Sequence, residues 1–386
     1  MRFLRQNSLW GLFVAVLLVI IGCNQATLEQ PTATIPIGVL ATLSGESVSV
    51  GESTIMGAEL AIADLEAAGG IAGLGQNRAI SLVIEDDQDQ VDACLNALRK
   101  LIYQDNVVAI VGPQFSRNAI PAAQLAEEAR VPLISPRATN PEVTKDKDFV
   151  FRTIFIDPFQ GEVMANFARQ ELGATTAGIL YDVASAYNRG IAEVFRDRFE
   201  AAGGQVVAFE SYTTGATDFT PLLTPIRDAQ PDVVFLPNYE FEVPIQVQQA
   251  KALGLTSTFL GSDSWGSITP ENRSLLEGSY FSDQFSPQTN SPRAQAFIEG
   301  FQQTYNQLPT AVSASTYDAV MLVAQAIQQE GEATPAAVRQ GLSEIRQFEG
   351  VTGTIEFRNS GDPIRSAVIL HIQGGEFVFH QQVNPQ

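Results

Sequence analysis

The sequence predicts an α/β fold made of two similar, doubly wound lobes. The pentapeptide EAAGG closes a helical stretch at residues 66–70 and again at residues 200–204. Both copies stand in the same order of strand, loop, helix, glycine stop and strand. Short runs of buried-type residues also alternate with helical stretches along most of the chain. Such alternation is typical of parallel sheets that are covered by helices on both faces.

In the first half, IPIGVLA at 35–41 is predicted to be a strand that ends in a turn. The following helix should present one apolar face, because apolar side chains recur at helical spacing. That face consists of Met56, Leu60, Ala63 and Ala67. Glycine accepts the left-handed conformation that follows a last helical turn, so the glycines of EAAGG end the helix. Further strands are predicted at 80–84, 107–111 and 131–134.

The second half repeats this series. The stretch TAGILYDVASAYN contains a strand and a loop, and a helix with the apolar positions Ile191, Phe195, Phe199 and Ala202 follows it. Strands are predicted at 233–236 and 259–260. The segment SASTYDAVMLVAQAIQQEGEA is a further amphipathic helix, which we assign to the first lobe. The late strands in VTGTIEF and AVILHIQ are assigned to the second lobe, so the chain should cross between the lobes three times.

Composition narrows the class of function. The 386 residues exceed the size of a typical single core, so two or more domains are expected. The net charge of −20 comes from 23 basic and 43 acidic residues, and this balance argues against nucleic acid as a partner. His371 and His380 are the only histidines in the sequence. A histidine-based catalytic triad or a zinc site is therefore not expected. We expect no enzyme, no cofactor and no metal.

The N-terminus reads as an export segment. Arg2 and Arg5 precede an apolar run over residues 9–21, which is too short to span a bilayer comfortably. The run ends in IIGCN, which resembles the bacterial lipoprotein box. We therefore expect a signal peptide at 1–22, lipidation of Cys23 and a flexible tether at 23–34. Acyl chains on Cys23 would hold the protein at a membrane surface.

Cys94 is the second cysteine of the chain, and it lies beside an apolar helical stripe in VDACLNALRKLI. Once Cys23 is lipidated, Cys94 has no partner for an internal disulfide. A small buried hydrophobe is the favoured interpretation of Cys94. A reactive thiol is the alternative.

Residues 35–379 resemble the solute-binding proteins of branched-chain amino acid ABC transporters. The resemblance is carried by the order and spacing of IPIGVLATLSG, LVIEDDQ, IVGPQFS, VPLISPRATNPEVT, FRTIFIDPFQG and TYDAVMLVAQAI. It implies a periplasmic binding protein of type I, the Venus-flytrap fold, with three hinge crossovers. The expected first lobe covers 35–156 and 287–349, and the expected second lobe covers 157–286 and 350–386. An amino acid would be clamped between them.

The resemblance places three ligand-binding positions in the first lobe. Ser116 would bind the ligand carboxylate beside a helix N-terminus, although a plain capping serine is the alternative. Thr139, next to Ala138, matches a threonine that touches the ligand, and a helix cap is again the alternative. Arg137 departs from the small residue expected there. It would serve the site through its backbone, anchored by carboxylates of the second lobe, or its guanidinium would reach an acidic ligand side chain.

The second lobe should supply Tyr187 and Tyr239, which match tyrosines that close over the ligand, and Asp263, which would face its ammonium group. A tyrosine at a strand end can also be plain core, and a loop aspartate can be a turn former. Val50 and Val312 stand where relatives carry an aromatic residue. Both changes remove bulk, so the ligand need not be leucine, isoleucine or valine.

The expected function is that of an extracytoplasmic carrier that hands its ligand to an ABC permease and its ATPase subunits. We expect a lipid-anchored monomer in the periplasm or on the outer face of the bacterial cell membrane. The same fold also binds urea, short amides or small carboxylates, and it occurs in ligand sensors. A sensor would carry a transmembrane helix and an output module, and the sequence has no second long apolar segment after its last predicted strand.

Overall fold

The computed structural model describes residues 34–71, 79–358 and 360–385. The predicted signal peptide, the predicted lipidation site Cys23 and the predicted tether up to residue 33 lie outside the described residues. None of the described helices is long and apolar enough to cross a bilayer.

The first lobe begins with alternating strands and helices as far as its fourth strand, and a fifth strand then follows. They are β1 (Ile35–Ala41), α1 (Val48–Ala67), β2 (Ile80–Asp86), α2 (Val91–Tyr103), β3 (Ala109–Val111), α3 (Ser116–Ala129), β4 (Leu133–Ser135) and β5 (Val150–Arg152). The five strands pair in parallel in the order β2-β1-β3-β4-β5.

The chain then crosses to the second lobe, which alternates in the same way. Its elements are α4 (Asp157–Gln170), β6 (Thr176–Asp182), α5 (Ala186–Ala201), β7 (Gln205–Tyr212), α6 (Thr220–Ala229), β8 (Val233–Leu236), α7 (Val243–Ala252), β9 (Thr258–Gly261), α8 (Pro270–Arg273) and β10 (Tyr280–Asp283). The strands β7-β6-β8-β9-β10 are parallel neighbours in that order.

Two later segments complete the lobes. The first lobe gains α9 (Pro292–Tyr305), α10 (Ala311–Glu330), α11 (Pro335–Glu344) and a small antiparallel sheet of β11 (Gln347–Gly350), β12 (Gly353–Phe357) and β13 (Pro363–Ile364). The second lobe gains β14 (Ala367–Gln373) and β15 (Glu376–Val383), which extend its sheet beyond β10 in antiparallel pairing.

The two parallel sheets share one strand order. In each, the second strand lies at the edge, the first lies inside it, and the third, fourth and fifth follow on the other side. The order therefore reverses between β1 and β3 and again between β6 and β8. Open parallel sheets bind ligands at the carboxyl ends of the strands beside such a reversal. Each lobe thus has one edge at which a ligand site is expected.

The predicted role of EAAGG is confirmed. Helix α1 ends at Ala67 and α5 ends at Ala201, and the first glycine of each motif has a positive φ of 91° at Gly69 and 80° at Gly203. The N–H of Gly69 donates to the carbonyl of Glu66, and the N–H of Gly203 donates to that of Glu200, both at 2.9 Å. The repeated pentapeptide marks the same helix end in both lobes.

The predicted apolar face of α1 is wrong in part. Ala63 and Ala67 are exposed, whereas Thr54, Gly57 and Ala61 are buried. The reason is that α1 packs closely against α10. A Cβ atom on Gly57 would lie 2.2 Å from the carbonyl oxygen of Ser313, so small residues rather than large apolar ones define the buried face.

The predicted lobe boundary at 349/350 also needs correction. Phe348, Val351, Ile355 and Phe357 are buried in one cluster with the strands and helices of the first lobe. The N–H of Arg152, in β5, donates to the carbonyl of Gly361 at 3.0 Å. Residues 350–364 therefore belong to the first lobe, and the third crossover lies between β13 and β14.

Arg365 stands in that third crossover and connects it to the other two. Its guanidinium donates to the carbonyl of Thr153 in the first crossover, to that of Gln284 in the second (3.1 Å) and to that of Thr352 (2.8 Å). The side chain is buried, and burial lowers the pKa of the guanidinium to about 10. One cation thus fixes the hinge strands to one another.

Candidate ligand-binding site

The carboxyl ends of the two parallel sheets face each other and enclose a small cavity. Its lining comes from the loops after β3, β4, β6, β8 and β9, and consists of Gln114, Phe115, Ser116, Arg137, Tyr187, Tyr239 and Asp263. Five of the seven predicted ligand-binding residues meet here. Ala138 and Thr139 are close in sequence to Arg137 but do not line the cavity. The cavity measures about 10 Å³, which is room for one water molecule, so the lobes are closed upon each other.

Ser116 is the first residue of α3, a helix of 14 residues. The preceding position, Phe115, is the N-cap, so Ser116 does not cap its own helix. Its hydroxyl accepts a hydrogen bond from the N–H of Asn140 at 3.3 Å. Free N–H groups and the partial positive charge of the helix terminus lie beside this hydroxyl. The position therefore suits a carboxylate.

Thr139 is fully buried, and its hydroxyl lacks a hydrogen bond of normal geometry. The short helix at 141–143 is capped by the side chain of Asn140, which accepts from the N–H of Glu142 at 3.0 Å. Thr139 is thus not the cap that the alternative interpretation required. Asp157 lies beside it, and burial, opposed by the Thr139 hydroxyl, raises the pKa of that carboxyl to about 7.

Ala138 is buried in the first-lobe core, and its backbone groups are already engaged. Its N–H donates to Ser135 Oγ at 3.1 Å, and its carbonyl accepts from Arg152 Nη1 at 2.7 Å. Its predicted contact with a ligand stays a prediction.

Asp263 is the second residue after β9, and its hydrogen bonds go to other residues of the second lobe. Its Oδ1 accepts from the phenol of Tyr187 at 2.7 Å, and its N–H donates to Gln160 Oε1 at 3.3 Å. Burial raises the pKa of Asp263, while the charge of Arg137 lowers it. A buried carboxylate held this way is a strong acceptor for a cationic group.

Tyr239 lies at the centre of an aromatic stack. Its ring is parallel to that of Tyr187 at 5.0 Å between centroids and meets the edge of Phe115 at 5.3 Å. The guanidinium of Arg117, from the first lobe, lies 4.6 Å from the centroid of the Tyr239 ring. The Tyr239 hydroxyl is buried and makes no hydrogen bond of normal geometry. It is available to a molecule in the cavity.

Arg137 forms a buried ion pair across the cleft with Glu240, a residue that the sequence reasoning did not single out. Arg137 Nη2 and Glu240 Oε2 are 2.9 Å apart, and both side chains are about 5% exposed or less. Glu240 Oε1 also accepts from Ser47 Oγ of the first lobe at 2.9 Å. Glu240 raises the pKa of Arg137 against the effect of burial, and Asp263 adds to this. The anchoring of Arg137 by a second-lobe carboxylate agrees with the prediction.

Gln114 and Phe115 were also missed. Both follow Pro113 in IVGPQFS, between a buried strand and Ser116, so their position beside Ser116 was the available signal. Glu240 likewise follows Tyr239 at the end of a buried strand. A polar residue adjacent to a predicted site residue is a weak signal, because most such residues face solvent.

Val50 and Val312 are both buried in an apolar cluster that joins the lobes. The cluster includes Phe115 from the first lobe and Tyr187 and Tyr239 from the second. Neither valine lines the cavity, so their effect on the size of the ligand stays a prediction.

The other candidate groups lie away from this cavity. Cys94 is buried in the first-lobe core, and burial raises the pKa of its thiol, which agrees with a structural role. His371 stacks on Tyr280 at 4.3 Å, and His380 packs edge-on against the same ring. Within residues 34–71, 79–358 and 360–385, no cluster of three or more His, Cys, Asp or Glu side chains is arranged to hold a metal.

Comparison with known families agrees with this architecture. A family model described as periplasmic binding protein matches residues 34–376. The chain belongs to this family. The match spans both lobes and all three crossovers, so it covers every residue that lines the cavity.

Individual relatives carry amino acid names. A leucine-, isoleucine-, valine-, threonine- and alanine-binding protein of Pseudomonas aeruginosa is 30% identical over 341 residues, which are 87% of this chain and 89% of the relative. The fold is similar to that of a leucine binding protein, LivK, of Thermotoga maritima, with a TM-score of 0.85, 30% identity and coverage of 91% and 99%.

Another solved structure is LivJ of Streptococcus pneumoniae in complex with isoleucine. It has a TM-score of 0.84 and 31% identity, and the alignment covers 92% of this chain and all of that one. A solute binding protein of R. palustris in complex with benzoate is 21% identical with a TM-score of 0.81, which shows the common fold alone.

Proposed function

We propose that this chain binds a free α-amino acid between its lobes and delivers it to an ABC permease. One observation carries the proposal: a serine at a helix N-terminus and a buried aspartate line the same closed cavity from opposite lobes. The first suits a carboxylate and the second suits an ammonium group. The printed names of the relatives, which include leucine, isoleucine, valine, threonine and alanine, support the same chemistry.

Capture by hinge closure follows from where the contacts lie. Ser116 and Thr139 belong to the first lobe, whereas Tyr187, Tyr239 and Asp263 belong to the second. A ligand that bonds to both sets gains the second set only when the lobes meet. It therefore shifts the population toward the closed form. Arg365, which stands in the third crossover and bonds to the other two, gives this motion a fixed centre.

The family acts outside the cytoplasm, and we propose that this chain is held there by acyl chains on Cys23. Two or more buried acyl chains anchor a protein stably, since each methylene contributes about 0.8 kcal/mol. The Cys23→Ser chain should appear in the soluble fraction of cells that retain the wild type in their membranes. Continued membrane retention of that variant would contradict the anchor. The family is one of solute-binding proteins, and the absence of catalysis stays a prediction.

A thermal-shift screen tests the ligand class. We expect the melting temperature of the full chain to rise with at least one of the twenty amino acids, because a ligand that binds only the folded state stabilises it. Urea and short amides serve as comparison ligands. A shift with an uncharged amide and with no amino acid would favour the alternative ligand class and contradict the zwitterion site.

A further inference from the structure

Gln114 lines the cavity with a carboxamide that is not bonded to any other group of the described residues. It is 1% exposed, and neither its carboxamide oxygen nor its nitrogen has a hydrogen-bond partner. Buried polar groups are nearly always paired, and leaving one unpaired costs free energy. A carboxamide whose N–H donors and carbonyl acceptor are buried and unbonded points to a ligand that supplies the complementary acceptor and donor.

The neighbouring polar groups bond to partners other than Gln114 in this structure. Ser116 Oγ accepts from the N–H of Asn140, the Tyr187 hydroxyl donates to Asp263, and the Arg137 guanidinium is paired with Glu240. The hydroxyls of Thr139 and Tyr239 also lack a hydrogen bond of normal geometry. Gln114 thus adds a hydrogen-bonding position beyond the groups assigned to the ligand's carboxylate and ammonium.

Charge limits what a ligand side chain can be. An acidic side chain would add a third negative charge to a buried site in which Glu240 and Asp263 already act on Arg137. A cationic side chain would meet the Arg137 guanidinium, which itself lines the cavity. A neutral side chain avoids both conflicts.

We propose that the ligand is a neutral amino acid whose side chain carries a hydroxyl or a carboxamide, and that Gln114 selects it. An aliphatic side chain would leave both atoms of Gln114 unpaired in a closed cavity, whereas serine, threonine, asparagine or glutamine can pair with them. This proposal rests on the proposed function, since it concerns the side-chain end of the same site.

Isothermal titration calorimetry on the dialysed full chain tests it, with serine, threonine, asparagine, glutamine, leucine, isoleucine, glutamate and lysine as ligands. We expect at least one hydroxyl or amide amino acid to bind at least about tenfold more tightly than leucine. Gln114→Met keeps the length of the side chain and removes its hydrogen bonds. It should shift the affinity ratio by about tenfold or more toward leucine.

Gln246→Met is the matched control. Gln246 is fully buried in the second lobe, accepts from Asn238 Nδ2 at 2.8 Å and does not line the cavity, so its loss should leave the ratio unchanged. Leucine or isoleucine binding as tightly as every polar amino acid would overturn the selectivity while leaving the proposed function intact. A uniform loss across all ligands in Gln114→Met would place Gln114 on the ligand's main-chain groups and overturn its role. Absence of binding by any amino acid would overturn both proposals.

Discussion

The two lobes share a strand order but present opposite chemistry to the cleft. The first lobe contributes donors and cations: the N-terminus of α3 with Ser116, and the guanidinium of Arg137. The second contributes acceptors and anions: Asp263 and Glu240, with two tyrosines. In two lobes of similar fold, a few loop residues are therefore enough to place positive charge on one side of the cleft and negative charge on the other. Such an arrangement matches a zwitterion, which is itself positive at one end and negative at the other.

The ion pair between the lobes should show the largest effect. Glu240→Ala strands the Arg137 charge in a buried site, and we expect the free energy of unfolding to fall by about 3–5 kcal/mol. The double variant Arg137→Met with Glu240→Met removes both charges and should recover most of that loss. Urea unfolding of the wild type, Arg137→Met, Glu240→Met and the double variant gives the coupling energy. Losses that simply add would show that the pair does not act as a unit.

Asp263 tests the anionic half directly. Asp263→Ala should weaken amino acid binding by about 2–5 kcal/mol, because the ammonium group then enters a dry cavity without its carboxylate. Calorimetry on the wild type and the variant measures this. Asp232→Ala is a control, because Asp232 also belongs to the second lobe but bonds to Thr175 and Thr176, away from the cleft. Wild-type affinity in Asp263→Ala would contradict the proposal that Asp263 binds the ammonium group of the ligand.

Asp157 gives the second lobe a pH dependence of unusual sign. The pKa of its carboxyl is raised by burial from 3.8 to about 7, so the folded state favours the neutral form. Between these values the folded chain binds more protons than the unfolded one, and stability contributed by this group falls as pH rises from about 4 to about 7. Asp157→Asn should therefore be more stable than the wild type at pH 8, by on the order of 2 kcal/mol, with little difference at pH 4.

Thermal unfolding of both proteins across that pH range measures the Asp157 effect. If the stability of the wild type and that of Asp157→Asn changed with pH in parallel, the pH dependence would come from groups other than Asp157.

Ser116 should show the smallest effect, on the cationic half. Ser116→Ala removes one hydroxyl but leaves the N–H groups of α3, so amino acid affinity should fall by about 1 kcal/mol. The N-terminus of α9 offers a control in Ser291→Ala, where the hydroxyl caps its own helix by accepting from the N–H of Ala294 and does not line the cavity. That variant should lose stability but not affinity. An equal loss of affinity in both would show that Ser116 has no special place in the site.

Much of this organisation follows from local sequence. The glycines of EAAGG end α1 and α5 because only left-handed backbone closes those turns, and that requirement is readable from five letters. The alternation of buried strands and amphipathic helices likewise predicted two α/β lobes. The spacing of apolar residues and the residues that form turns are both local features of the sequence. Ser116 and Asp263 could be predicted as site candidates because each follows an apolar strand whose end must lie at a sheet edge.

The tertiary structure decided what local pattern leaves open. The buried face of α1 depends on the close approach of α10, which hydrophobic spacing does not report. The lobe to which 350–364 belong depends on a pairing between Arg152 and Gly361, far apart in sequence. The pairing of Arg137 with Glu240 and the free carboxamide of Gln114 depend on two loops meeting across the cleft. Backbone propensity is set by neighbours in the chain, whereas the partner of a buried charge is set by whatever the folded chain brings within about 3 Å of it.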